Sequence, residues 1–218
     1  MIHRFATVAS TQDEVHRLAA AGAPAGTVVV AEDQTGGRGT RGRLWSSGVN
    51  GLWLTVLLRP GSPAALEGLS VRVGLALAAA LDAPAGQPVL LKWPNDLTVA
   101  DRKLGGILCE ARWNGHRPDW VAVGVGINVA NPLPPALGGA AISLAELGAT
   151  AGKNALEGSV IAAVIAAGQG QGPLSAAELA AYARRDWLAG KAIATPIVGT
   201  AAGLAPDGSL VVIGTDGN

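Results

Sequence analysis

A chain of 218 residues with 49% hydrophobic and 15% charged residues can bury one sizeable core, which excludes a disordered or fibrous protein. Lys and Arg number 16, as do Asp and Glu, so a formal net charge of +0 provides no global field toward DNA or a membrane surface. The single Cys109 cannot close an internal disulfide, the N-terminus has no secretion-signal pattern, and Gly, Pro or charge interrupts every apolar stretch, so a cytoplasmic location without a membrane span is expected.

Thr11-Gln-Asp-Glu14 has the form of a capping box, and Val15, Leu18 and Ala19 follow at helical spacing, so a helix is predicted over residues 12–21. Residues 27–31 and 51–58 are β-branched or apolar runs bounded by turn formers and read as strands. Leu66, Leu69, Val73, Leu77 and Leu81 share one helical face, with the helix ending before Asp82 and Pro84. Residues 89–93, 97–100, 103–113 and 120–129 form successive strands separated by short turns, which indicates an antiparallel or mixed sheet. Residues 154–167 and 175–189 read as helices, and short β-rich runs around Pro206-Asp-Gly208 follow from Lys191 onward.

Between the first two predicted strands lies Gln34-Thr-Gly-Gly-Arg-Gly-Thr-Arg-Gly-Arg-Leu-Trp45. Its four glycines let the backbone approach a ligand, and its three arginines suit a phosphate or carboxylate. The same composition also describes a solvated loop, and the glycine spacing matches neither the P-loop nor the dinucleotide fingerprint. Lys92-Trp-Pro-Asn-Asp96 delivers a cation, an amide and a carboxylate at a strand end, either as a simple turn or as a phosphate or magnesium site. In Arg102-Lys-Leu-Gly-Gly-Ile-Leu-Cys-Glu110, the Gly105-Gly106 pair weakens a strand unless something approaches its backbone; Lys103 then faces that ligand or is an ordinary edge charge. Asn128, at the end of an apolar strand, either reads a base edge or caps a turn.

Together, Gln-x-x-Gly-Arg-Gly at 34–39, Lys-Trp-Pro-Asn-Asp at 92–96, Lys-Leu-x-Gly-Ile-Leu at 103–108 and Gly-x-Gly-Ile-Asn at 124–128 follow the order seen in biotin–protein ligases. The chain resembles that family, in the monofunctional form that lacks an N-terminal DNA-binding domain. The resemblance implies an α+β fold: a class II synthetase-like mixed-sheet catalytic domain over residues 1–188 and a small SH3-like β domain over 189–218. It implies formation of biotinyl-5'-adenylate from biotin and ATP, with Mg2+, and transfer of biotin to a lysine of a biotin carboxyl carrier domain of a carboxylase. By the same resemblance, Ser10, Thr11, Gln12, Gln34, Gly37, Arg38, Gly39, Thr40, Trp53, Lys103 and Gly106 surround biotin. Arg38 and Lys103 face the reacting carboxylate and α-phosphate, Arg41, Arg43, Trp45, Lys92, Asn95, Asp96 and Asn128 take the nucleotide, and Asp96 is the candidate magnesium ligand. A homodimer is common in the family.

The chain departs from the family pattern at two places in this region. Thr40 stands where the family's loop carries an arginine, which predicts weaker retention of the adenylate, and Gln12 replaces an asparagine after Ser10-Thr11. The small C-terminal domain is expected to lack its last short strand, because the chain stops at Asn218. A binding-only sensor and a lipoate or octanoate ligase are the competing readings; Lys92 and Lys103 oppose the first, and the Lys-Trp-Pro-Asn-Asp turn opposes the second.

Overall fold

The computed structural model describes residues 1–137 and 139–214; the expectation of a missing final strand falls on 215–218, outside the described residues. Seven strands, β1 (Ile2–Val8), β2 (Val28–Gln34), β3 (Leu52–Leu58), β4 (Leu90–Lys92), β5 (Asp96–Val99), β6 (Arg102–Asn114) and β7 (Arg117–Ile127), form one sheet in the order β1-β2-β3-β7-β6-β5-β4. Only β1 and β2 pair in parallel, and the other neighbours are antiparallel, so the sheet is mixed as expected. β1 was not expected from the sequence. It is the missing edge, and its parallel pairing needs a crossover connection, supplied by helix α1 (Thr11–Ala20).

Strand side chains alternate between faces, and the two cores sort accordingly. Val28 and Val30, Leu52, Leu54 and Val56, and Val121, Val123 and Val125 point to the larger core under helices α2 (Leu69–Ala85) and α3 (Lys153–Ala167). Val29, Leu57 and Ala122 point the other way, onto Val15 and Ala19 of α1. The core of the molecule therefore lies on the α2/α3 face. On the opposite face α1 covers only part of the sheet, leaving the rest to loops.

Three predicted helices have shifted boundaries. The α1 cap is Ser10, whose Oγ accepts from the Gln12 N–H at 3.3 Å, rather than Thr11. Helix α2 begins at Leu69, with Leu66 in a separate 3-10 turn, and it runs past Asp82 and Pro84 to end at Gly86, which adopts a left-handed φ of 67°. The helix expected over 175–189 stops early: α4 spans Ala176–Ala183, opened by a capping box of Ser175 and Glu178. Beyond it tertiary pairing overrides helical propensity. Leu91 N–H donates to Arg185 O at 2.8 Å, Trp187 N–H donates to Leu91 O at 3.0 Å, and the Arg185 guanidinium forks onto Asp82 at 2.9 and 2.6 Å.

A small antiparallel sheet follows, of β8 (Ala192–Ile193), β9 (Gly199–Leu204) and β10 (Leu210–Gly214) in the order β10-β9-β8. It is fastened near the end of β4. Trp93 Nε1 donates to Gly208 O at 2.9 Å, and the Trp187 ring lies between the ammonium groups of Lys92 and Lys191, 4.4 and 3.1 Å from its centroid. Among the described residues no helix is long and apolar enough to cross a membrane.

Candidate functional site

The uncovered part of the α1 face holds a cavity of about 310 Å³. Strand periodicity explains its floor. Gly106 on β6 is paired with Gly126 on β7, and Leu108 with Gly124, so three of the four positions facing the cavity have no side chain. A Cβ on Gly126 would stand 2.7 Å from the Trp45 ring, and one on Gly106 3.1 Å, so the floor accepts a flat indole only because it is bare.

The Gly/Arg loop makes one wall. It is a narrow hairpin in which Gly39 N–H donates to Arg43 O and Trp45 N–H to Gly37 O, both at 2.8 Å. Gly37 is obligatory there, because a Cβ would lie 2.6 Å from the Trp45 carbonyl oxygen. The tip is a single 3-10 turn over Thr40–Gly42 with Arg41 at φ 59°, and Arg43 Nη2 donates to Thr40 Oγ1 at 3.1 Å. Trp45 returns across the glycine floor. Buried Trp53 lies edge-on to it at 6.1 Å, and Lys103 Nζ is 5.0 Å from the Trp45 ring centroid.

The start of α1 makes the second wall through a run of hydroxyl and amide groups. Thr55 Oγ1 donates to Thr11 Oγ1 at 2.8 Å, Thr11 N–H donates to Gln34 Oε1 at 2.8 Å, and Gln34 Nε2 donates to Ser47 Oγ at 2.8 Å. Gln12 Nε2 donates to Leu108 O at 2.8 Å. The third wall is made by Leu133, Pro134 and Leu137 with Ala140 and Ala141. Lys103 closes the far end. Its ammonium meets Asp96 Oδ1 at 2.7 Å, and its carbonyl accepts from Asn128 Nδ2 at 3.4 Å, while Asn95 Nδ2 donates to Ile107 O at 2.7 Å.

Among the described residues, two buried polar atoms of residues lining this cavity have no hydrogen-bond partner: the donor Trp45 Nε1 and the acceptor Gln12 Oε1. Leaving such atoms unpaired costs about 1–3 kcal/mol each. Outside the lining, burial pushes the Cys109 thiol up to about 12, which leaves it a neutral, unreactive packing residue on the core side of β6. Burial also lowers the His16 pKa below the ordinary imidazole value, against the opposing pull of the Glu110 carboxylate.

Most of the expected site residues meet in this cavity. Ser10, Thr11, Gln12, Gln34, Arg38, Gly39, Thr40, Arg43, Trp45, Asn95, Lys103, Gly106 and Asn128 line it. Gly37 belongs to the loop itself but not to the lining, Trp53 stands edge-on to Trp45, and Asp96 pairs with Lys103. Arg41 points outward at the loop tip, and Lys92 is engaged with Trp187. Sequence reasoning missed Gly124 and Gly126 as floor, Asp13 and Glu110 as partners of Arg38, and the wall of Leu133, Pro134, Leu137, Ala140 and Ala141. Alternation along β7 was the available signal for the two glycines; the carboxylates and the wall are brought in from distant segments and carry no local mark.

Fold and cavity define a class of mixed-sheet protein that folds a glycine- and arginine-rich loop over a bare patch of the sheet. The sequence model of the Biotin/lipoate A/B protein ligase family matches residues 5–128, more than half of the chain, and the chain belongs to that family. It is 38% identical over 144 residues to the bifunctional ligase/repressor BirA of Bacillus subtilis, covering 64% of this chain and 44% of that protein. It is 37% identical over 153 residues to the biotin--[acetyl-CoA-carboxylase] ligase of Mycobacterium tuberculosis, covering 67% of this chain and 55% of that protein. The chain thus spans about half the length of these curated relatives. Among solved structures it is similar to the biotin protein ligase of Aquifex aeolicus in complex with biotin and ATP, with a TM-score of 0.84, 27% identity, and coverage of 99% of this chain and 93% of that one.

Proposed function

We propose that this protein is an ATP-dependent ligase that makes biotinyl-5'-adenylate and passes biotin to a lysine of a biotin carboxyl carrier domain. The observation that carries the reading is the cavity itself. It sets the hydroxyl and amide groups of the α1 wall, a fixed ammonium and the Trp45 ring around a glycine floor, a set suited to a compact acid with both hydrogen-bonding and apolar parts. The likeness to the Aquifex aeolicus protein, whose structure contains biotin and ATP, supports biotin as that acid within a family of biotin and lipoate ligases.

In the first step a carboxylate oxygen attacks the α-phosphorus of ATP, forming the acyl phosphate bond while pyrophosphate leaves. In the second, a neutral lysine amine attacks the acyl carbon, AMP leaves, and the amine gives up a proton. Two anions must be held together in the first step, which calls for fixed cations and positioning more than for a general base. Lys103, held by Asp96 and lying over Trp45, is the cation we assign to the reacting carboxylate and α-phosphate. Ser10, Thr11, Gln12, Gln34, Gly37, Gly39, Thr40 and Gly106 are assigned to the biotin side, with Trp53 edge-on to Trp45. Trp45, Asn95, Asn128, Arg41, Arg43 and Lys92 are assigned to the nucleotide. Lys92 would have to leave Trp187 to reach a phosphate.

Magnesium bound chiefly through substrate phosphates needs one or two protein carboxylates, and Asp96, beside Lys103, fits that demand. When present, the ion would neutralise phosphate charge. We assign residues 1–188 to both chemical steps and the segment from 189 onward to a small SH3-like unit.

The test is biotin-dependent exchange of pyrophosphate into ATP, run beside lipoate and octanoate, followed by transfer to a carrier domain. Exchange with biotin alone is expected. Exchange with lipoate or octanoate alone, or with none of the three acids, overturns the reading.

A further inference from the structure

Arg38 lines the cavity, yet its guanidinium is bound on the outside by two carboxylates. Nη1 meets Asp13 Oδ1 at 2.8 Å and Nη2 donates to Glu110 Oε2 at 2.7 Å. Asp13 belongs to the first turn of α1, Glu110 to β6 and Arg38 to the loop, so one side chain joins three elements. Among the described residues, these are the only side-chain hydrogen bonds or ion pairs that tie residues 38–45 to the rest of the chain. The loop's other polar bonds stay within residues 37–45, apart from the Gly36 N–H at its base, which donates to Ala9 O at 2.8 Å. Asp13 follows Gln12, and Glu110 stands two residues beyond Leu108 on the same face of β6, so the junction spans the mouth of the cavity at its Gln12–Leu108 end.

Glu110 is itself aimed. His16 Nε2 lies 3.4 Å from the Oε2 that receives Arg38, and Trp120 Nε1 donates to His16 Nδ1 at 2.9 Å. With Nδ1 accepting, a neutral imidazole carries its proton on Nε2, facing Glu110. A chain of contacts thus runs from Trp120 on β7 through His16 and Glu110 to the loop.

We propose that Asp13 and Glu110 are positioning residues: they clasp Arg38 and hold the 36–45 loop shut across the cavity, with His16 and Trp120 orienting Glu110. Arg38 then acts by closing the site, and the clasp sets how long a bound adenylate is kept. The retention part rests on the biotinyl-adenylate reading above; the loop closure does not.

Two measurements on the full chain test it, using Glu110→Gln, Asp13→Asn and the double variant. In the ligand-free protein, trypsin cleavage after Arg41 and Arg43 reports loop opening, with the unfolding temperature as control for global stability. Partly exposed ion pairs are worth up to about 1 kcal/mol each, so each substitution should speed this cleavage up to roughly fivefold, and high salt should speed the parent likewise. Release of preformed biotinyl-adenylate into a trap should accelerate by a similar factor. Cleavage equal to the parent's overturns the clasp, whatever the adenylate does. Faster cleavage with unchanged release overturns the role in retention. Failure of the parent to form adenylate sinks the functional reading instead, and the cleavage comparison still decides the clasp.

Discussion

Gly126→Ala puts one methyl group into the cavity floor. The added Cβ would lie 2.7 Å from Trp45 Cε2 and 2.9 Å from Cζ2 and Nε1, so the indole must retreat by about 0.7 Å to reach ordinary contact at 3.4 Å. Retreat disturbs the ring's packing, with Trp53 edge-on at 6.1 Å and the Lys103 ammonium 5.0 Å from the ring centroid. Overpacking of this kind costs about 1–3 kcal/mol, of which roughly 0.5–1 kcal/mol is offset because alanine suits a strand better than glycine. The protein should therefore fold, with a modestly lower Tm. The larger effect is on the site, where a displacement near 1 Å costs up to about 100-fold in rate. Biotin-dependent pyrophosphate exchange should drop by roughly 10- to 100-fold, with the ATP dependence most affected. Gly158→Ala on α3 is the control: its Cβ meets nothing within 4 Å, so exchange should be unchanged and Tm equal or higher. Parent-like exchange in Gly126→Ala would refute the argument that the bare floor exists to seat Trp45.

Three further outcomes follow from the same geometry. Lys103→Ala removes the ammonium held by Asp96 and should lower pyrophosphate exchange by roughly 100-fold or more while shifting Tm little; single-turnover adenylation beside thermal unfolding checks this. Thr40→Arg adds a guanidinium at the loop tip and should slow escape of biotinyl-adenylate in a trapping assay; equal rates would show that Arg43, bonded to Thr40, already supplies that charge. The third concerns acid stability. Arg72, only 7% exposed, donates from Nε to Glu178 Oε1 at 2.5 Å and holds that carboxyl at about 2 against 4.5 when unpaired. A depressed folded pKa gives stability that is complete above 4.5 and lost as pH falls toward 2, worth at most about 3 kcal/mol before screening at the partly exposed carboxylate. Glu178→Gln should therefore lower Tm at pH 7 and flatten its fall between pH 5 and 2.

What could be read in the sequence was whatever is enforced locally. The first helix, the β6–β7 hairpin and the tail turn near Gly208 carry caps, alternation or turn residues within a few positions. β1 escaped because Ile-His-Arg-Phe-Ala-Thr-Val has a weak burial pattern and its partner lies beyond a helix, so only the tertiary pairing makes it a strand. The helix over 175–189 was overextended for the converse reason: alanine-rich propensity continues past Ala183, but the backbone near Arg185 is taken by Leu91. Thirteen site residues converge because the glycine and polar motifs sit at strand ends that the sheet brings side by side. The partners of Arg38 were not legible, since a surface aspartate and a strand glutamate look the same whether or not a guanidinium reaches them.

The parallel pairing of β1 with β2 has a dynamic consequence. Its crossover begins with Ser10, Thr11 and Gln12 and returns through β2 to Gln34, whose Oε1 accepts from the Thr11 N–H. The outermost strand of the sheet and the polar wall of the pocket are consequently one cooperative unit. Edge strands open more readily than central ones, so opening here disassembles the pocket at the same moment. A ligand that binds the intact wall must close both, and slower amide exchange along Ile2–Val8 becomes a distant gauge of occupancy at a site that strand never touches.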